Sequence, residues 1–171
     1  LSHPEAGTLI SGTKSKHDVG WSTVRKGDDA YPVRTGELDI QTDRATAIVH
    51  YEPFTVTATW IFGEEPRLVF STDSPDTLTT QLVLETPMGT PFTIDGNTTA
   101  TFGDDASTID GVTTVATEKW GITADQAGRL IWYVAPFNPY SDGNKSTPNT
   151  RRPVFAVDWT NHLEFTFRTP L

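Results

Sequence analysis

The side chains that could do chemistry in this chain are its imidazoles, its carboxylates and its exposed rings, and their spacing decides which chemistry is open. Four His residues, His3, His17, His50 and His162, are scattered along the sequence, and no Cys joins them. A zinc site needs ligands at short, characteristic spacings, so none is expected. Carboxylates come from Glu52, Glu64, Glu65, Glu85, Glu118 and Glu164. A glycosidase needs two of them held across a cleft, and sequence distance gives no reason to pair any two. Glu64 and Glu65 read as turn charges, while Glu85, Glu118 and Glu164 fit outward positions on strands. Asp104, Asp105 and Asp110, or Asp142 and Asn144, could hold Ca²⁺ through oxygen ligands, but the same residue types build turns without an ion. The nucleophile elbow Gly-x-Ser-x-Gly, the phosphate loop and the dinucleotide fingerprint are all missing. The expectation is a non-enzyme with no catalytic residues, no metal and no cofactor.

Rings offer contact in place of catalysis, since Trp and Tyr on a sheet face make sugar platforms and protein hot spots. Trp60, Trp132 and Trp159 share faces with Phe or Val and read as core. Trp21 sits in a segment without periodicity, Tyr133 faces opposite Trp132, and Phe137 and Tyr140 open a long polar stretch that runs to Arg152. Long aperiodic loops inside compact domains are usually functional or disordered. The candidate contact residues are Trp21, Tyr133, Phe137 and Tyr140, joined by the basic Lys14, Lys16 and Arg25.

These groups must be positioned by strands. Phe54-Thr-Val-Thr-Ala-Thr-Trp-Ile-Phe62 alternates apolar and Thr positions, the period of a half-buried strand. The same rule returns at Leu130–Val134, Phe155–Trp159 and Leu163–Arg168. Candidate strands run at 37–42, 45–51, 54–62, 67–71, 78–86, 97–102, 113–120, 128–135, 153–159 and 162–169, separated by turn chemistry such as Asp73-Ser-Pro-Asp76, Asp95-Gly96 and Asp110-Gly111. One helical turn is expected at Thr123–Ala127, capped by Thr123 and stopped by Gly128. The predicted fold is all-β: a single-domain antiparallel, jelly-roll-like sandwich of about eight to ten strands over 37–171, preceded by an extended N-terminal arm over 1–36.

Composition narrows the function classes. The chain has 171 residues and a formal net charge of −9, which argues against general nucleic-acid binding because phosphates call for a basic surface. No apolar run approaches the roughly 18 residues of a membrane-spanning helix. Without Cys, stability must come from packing or assembly. The start at Leu1 reads as a processed or trimmed form. Thr supplies about one residue in six, and a β-branched polar residue suits the solvent side of a strand. The basic residues of the arm, set against an acidic body, suggest reach over a neighbouring subunit and hence a homo- or hetero-oligomer.

The run Leu82-Val-Leu-Glu-Thr-Pro-Met-Gly-Thr-Pro-Phe-Thr-Ile-Asp-Gly-Asn-Thr-Thr-Ala-Thr-Phe102, followed by Thr123-Ala-Asp-Gln-Ala-Gly-Arg-Leu-Ile-Trp-Tyr-Val134, resembles β-sandwich modules of phage and archaeal-virus virion proteins. The shared features are a strand, a Gly-x-Pro turn, a second strand and a corner helix leading into a strand. The resemblance covers under half of the chain and fixes no functional residue. It implies a structural subunit of a capsid, tail or baseplate, assembling through arm, edges and loops, in a virion or extracellular setting. The alternative is a secreted module that binds carbohydrate or protein.

Overall fold

In the computed structural model the described residues are 35–51, 54–103, 105–132 and 152–169, together with the backbone of short strands within 2–31. All regular structure among them is β, arranged as an antiparallel sandwich. The short N-terminal strands are β1 (Ser2–His3), β2 (Gly7–Thr8), β3 (Ile10–Ser11), β4 (Val24–Lys26) and β5 (Asp29–Tyr31). Eleven strands follow: β6 (Thr35–Ile40), β7 (Arg44–His50), β8 (Thr55–Ile61), β9 (Arg67–Thr72), β10 (Leu78–Leu84), β11 (Pro91–Ile94), β12 (Thr98–Thr101), β13 (Ser107–Ala116), β14 (Gly121–Trp132), β15 (Val154–Trp159) and β16 (His162–Arg168). Of these eleven, the one without a counterpart among the candidate strands is β11, which opens on Pro91 and turns Phe92 and Ile94 inward.

Hydrogen bonding links the strands in the order β5-β4-β10-β15-β14-β16-β9-β8-β7-β6, with β11 and β12 joined through β13. This path curls over. Phe70 on β9 lies 6.0 Å from Trp159 on β15, and Phe155 on β15 lies 5.8 Å from Phe165 on β16. Neither ring pair joins strands adjacent on the path, so one stretch of sheet must face the other across a shared core. Leu68, Phe70, Leu82, Phe92, Phe102, Leu130, Phe155, Phe165 and Phe167 fill it.

The pivot is β14. Its first half, Gly121–Ala124, pairs with β16, and its second half, Gly128–Ile131, pairs with β15. The expected helical turn at Thr123–Ala127 is therefore corrected: the segment is strand throughout. Period 2 prevails because Ile122 and Ala124 are both buried, whereas a helix would have turned one of them to water. Gly128 does not stop a helix but allows close approach. A Cβ there would run into the Ala156 carbonyl oxygen and stand 2.8 Å from Val157 Cγ2.

The alternation of Phe54–Phe62 holds. Phe54, Val56 and Ala58 are buried and Trp60 packs partly against the core, while Phe62, beyond the last strand residue, is exposed. Trp132 and Trp159 are core residues, as their faces implied.

Candidate functional site

The same alternation that buries Leu163, Phe165 and Phe167 on β16 turns His162, Glu164, Thr166 and Arg168 outward. On β14 it turns Thr123 and Asp125 to the same side. Register extends this face across β9, β8, β7 and β6. His162 stands beside Ser71, then Thr57, Ile48 and Glu37; Glu164 stands beside Val69, then Thr59, Thr46 and Asp39. The Thr hydroxyls bond one another, with Thr46 Oγ1 3.3 Å from Thr59 Oγ1, and His50 Nδ1 lies 3.3 Å from Thr55 Oγ1. The outcome is a sheet face rich in hydroxyls with charged groups at both ends, Glu37 and Asp39 on β6 and a mixed cluster at β14-β16-β9.

The β14-β16-β9 end is built by three local devices. Asn161 adopts a left-handed backbone with φ of 64°, a conformation Asn tolerates better than most residues, so the chain reverses tightly between β15 and β16. The reversal is closed by the His162 N–H donating to the Thr160 carbonyl at 2.7 Å. Beyond the Ala124–Phe165 pair, side chains of β14 take over the ladder. Asp125 Oδ1 accepts from the Glu164 N–H at 3.0 Å, and Gln126 Nε2 donates to the His162 carbonyl at 2.6 Å. Asp125 is thereby tied to the β16 backbone, which leaves its Oδ2 3.6 Å from His162 Nε2. From the other side, Arg67 Nη1 reaches Glu164 Oε1 at 3.4 Å.

Asp125, His162, Glu164 and Arg67 thus form one cluster. The Glu164 side chain is 26% exposed and that of His162 53%, so the carboxylate is sheltered and the imidazole open to solvent. As residues i and i+2 of one strand, His162 and Glu164 stand about 6.5–7 Å apart along the backbone, a separation close to the breadth of a sugar ring. The cluster holds a proton acceptor, a group that carries a proton when charged, and a guanidinium.

Other polar groups are arranged for structure. Asp158 accepts from Thr79 Oγ1 at 2.5 Å and from Arg129 Nη2 at 3.1 Å across β10, β15 and β14. Asp95 Oδ1 accepts from Thr113 Oγ1 and from the Thr113 and Thr114 amides at 2.6–3.1 Å. Burial pushes this carboxyl up, but the three hydrogen bonds outweigh it and hold it below its ordinary value. A shallow depression of about 300 Å³ near Met88, Gly89, Thr90 and Pro91 carries one carboxylate, Glu118, too little for acid–base work in a cavity at the small end of ligand sites. Among the described residues no three His, Cys, Asp or Glu side chains are grouped to hold a metal ion.

Of the candidate contact residues, Lys14, Lys16, Trp21, Tyr133, Phe137 and Tyr140 lie outside the described residues. Arg25 has its backbone on β4, opposite Thr79 of β10, and its side chain lies outside the described set. The residues that come together are others. Asp125 and His162 are 37 positions apart and Arg67 and Glu164 are 97 apart, so no motif announces them. The only legible trace is the outward i, i+2 pair His162 and Glu164.

No protein-family model and no curated protein matches the chain. Among solved structures it is similar to a "putative aldose 1-epimerase" of Escherichia coli K12, with a TM-score of 0.57, 7% sequence identity, and coverage of 95% of this chain and 88% of that one. A "putative mutarotase" of Salmonella typhimurium gives a TM-score of 0.45 at 9% identity, over 81% of this chain and 64% of that chain. At such identity the Escherichia coli match is a likeness of fold. It corrects the resemblance to virion sandwiches, and with it the non-enzymatic virion subunit and the virion or extracellular setting, because the solved structure whose fold matches 95% of this chain is named a "putative aldose 1-epimerase". The physical reason for the error is that the quoted run carried only generic sandwich features, and its most distinctive one, the corner helix before Gly128, is a strand.

Proposed function

We propose that this chain acts on an aldose at the Asp125–His162–Glu164–Arg67 cluster, opening and reclosing the sugar ring by acid–base catalysis. The observation that carries the reading is the pairing, on one outward strand face, of a carboxylate and an imidazole across the breadth of a pyranose, each with its own charge partner. The fold likeness to a protein named a "putative aldose 1-epimerase" supports it.

In this reading Glu164 takes the proton from the anomeric hydroxyl while protonated His162 gives one to the ring oxygen. The bond from the anomeric carbon to the ring oxygen breaks and the open-chain aldehyde forms. Rotation about the adjacent carbon–carbon bond then presents the other carbonyl face. Closure returns both protons to where they began, so the protein is unchanged and no other reactant is needed. Proton transfer by positioned groups contributes about 10²–10⁴-fold. Asp125 pairs with the imidazolium, Arg67 holds the Glu164 carboxylate in place, and Ser71 and Thr57 supply hydroxyls beside the ring.

Polarimetry of freshly dissolved α-D-glucose and α-D-galactose tests this. The expected result is faster anomer exchange than in buffer, lost in Glu164→Gln and His162→Ala variants whose circular dichroism is unchanged. The openness of the face favours a second reading, sugar binding without turnover. In that case amide resonances of β16 shift on titration with sugar while the exchange rate stays at the buffer value. Neither acceleration nor shifts at high sugar concentration would overturn both.

A further inference from the structure

The β6 strand forms an end of the sheet, and all six of its residues are exposed. Its hairpin with β7 sets which backbone groups are used. The Gln41 N–H donates to the Arg44 carbonyl at 2.8 Å, and in an antiparallel ladder such bonded pairs alternate with non-bonded ones. Asp39, Glu37 and Thr35 therefore direct their amides and carbonyls toward β7, and Ile40, Leu38 and Gly36 direct theirs away from it. Among the described residues no strand pairs with that outer side.

Side chains on this edge are sorted by face. Glu37 and Asp39 lie on the polar face, where Gln41 Nε2 donates to Asp39 at 2.8 Å. Leu38 and Ile40 lie on the opposite face at 67% and 69% exposure, beside Ala47 and Ala45 of β7. Edges are commonly blunted by Lys, Pro or a bulge, and β6 has none of these. Its protection is acidic and selective. A second copy docking through a two-fold axis would set Glu37 against Asp39, or Asp39 against itself, and like charges directly opposite are unfavourable. The nearest cation on the hairpin, Arg44, is engaged by Asp43 at 2.8 Å.

We infer that the outer edge of β6 receives an extended peptide segment of a partner protein in which basic and apolar residues alternate, added as a further strand. Its main chain bonds the outward groups of Gly36, Leu38 and Ile40. Its basic side chains meet Glu37 and Asp39, and its apolar ones cover Leu38 and Ile40. This is strand addition, in which main-chain bonds give affinity and alternate side chains give specificity.

The probe is the blocked peptide Lys-Val-Lys-Val-Lys-Val, with Glu-Val-Glu-Val-Glu-Val as its counterpart, read by fluorescence anisotropy and residue-resolved amide exchange. The basic peptide is expected to bind at least about tenfold more tightly and to slow exchange at Gly36, Leu38 and Ile40, leaving Glu37 and Asp39 unchanged. Exchange separates docking from diffuse attraction to a chain of net charge −9. Glu37→Lys with Asp39→Lys reverses the preference. Leu38→Pro removes an outward donor together with the Leu38 side chain, at a position where an edge tolerates Pro, and weakens binding by about tenfold or more. Equal binding of both peptides, or binding without protection at the three amides, overturns the inference. So does protection that rises with protein concentration in the absence of peptide, since the occupant is then a second copy.

Discussion

Trp159 Nε1 donates a 2.9 Å hydrogen bond to Thr80 Oγ1 in the interior, where Thr80 is wholly buried and Trp159 1% exposed. The bond spans β10 and β15 in the half of the sheet that faces β9. An indole can be this deep only if its N–H finds a partner. Thr80→Val keeps the shape but leaves the donor unsatisfied, and is expected to cost about 1–3 kcal/mol. Thr80→Ser, which keeps the hydroxyl, should cost less. Urea unfolding followed by Trp fluorescence measures both; a larger loss for Ser than for Val would show that the methyl and not the hydroxyl matters.

Gly128 is the point where β14 exchanges β16 for β15 as its partner, and its missing side chain is what permits the approach of Ala156 and Val157. The obstruction is backbone, which cannot swing aside as a flexible side chain could. Gly128→Ala is expected to destabilise by about 2–4 kcal/mol through overpacking and displaced strands. Gly96→Ala, with open space around the added carbon but φ of 77°, should cost only about 1 kcal/mol of conformational strain. Thermal melts of the pair rank the two causes.

Asp95 links a turn to β13 through the Thr113 hydroxyl and the Thr113 and Thr114 amides. Its carboxyl is lowered from 3.8 in the folded chain. The unfolded chain therefore takes up this proton first as the medium is acidified. The stabilisation from Asp95 is complete above the unfolded value and is lost as the pH falls through the lower folded value. Asp95→Asn, which tolerates the φ of 48° at this position, is expected to flatten the acid limb of the stability curve. Carboxyl titration by NMR should place the folded midpoint of Asp95 below 3.8.

Much of this architecture can be read from alternation, because a sheet with one buried face must repeat every two residues. Phe54–Ala58 and Leu163–Phe167 are legible for that reason, and so are Trp132 and Trp159. The segment around β14 is not. Thr123 and Gly128 carry helix-cap chemistry, and only the tertiary burial of Ile122 and Ala124 decides for strand. Thr80 is likewise missed, since a Thr on a strand is read as outward unless its indole partner, 79 positions away, is known. The candidate site fails for the same kind of reason. Glu164 reads as an outward strand residue and His162 only as one of four scattered imidazoles, and Asp125 and Arg67 reach them only through the order of strands in space.

The role assigned to Asp125 separates charge from tether. One oxygen accepts the Glu164 N–H and so replaces a ladder bond, while the other faces the His162 ring. Asp125→Asn retains an oxygen for the amide and removes the charge, so stability should change by less than about 0.5 kcal/mol, whereas anomer exchange should fall by about tenfold or more. Asp125→Ala removes the tether as well and should cost about 1 kcal/mol in addition. Paired measurements of unfolding and anomer exchange on the two variants distinguish the roles. If Asn lowers stability as much as Ala and leaves exchange untouched, Asp125 serves the strand junction alone, and the imidazole acts without it.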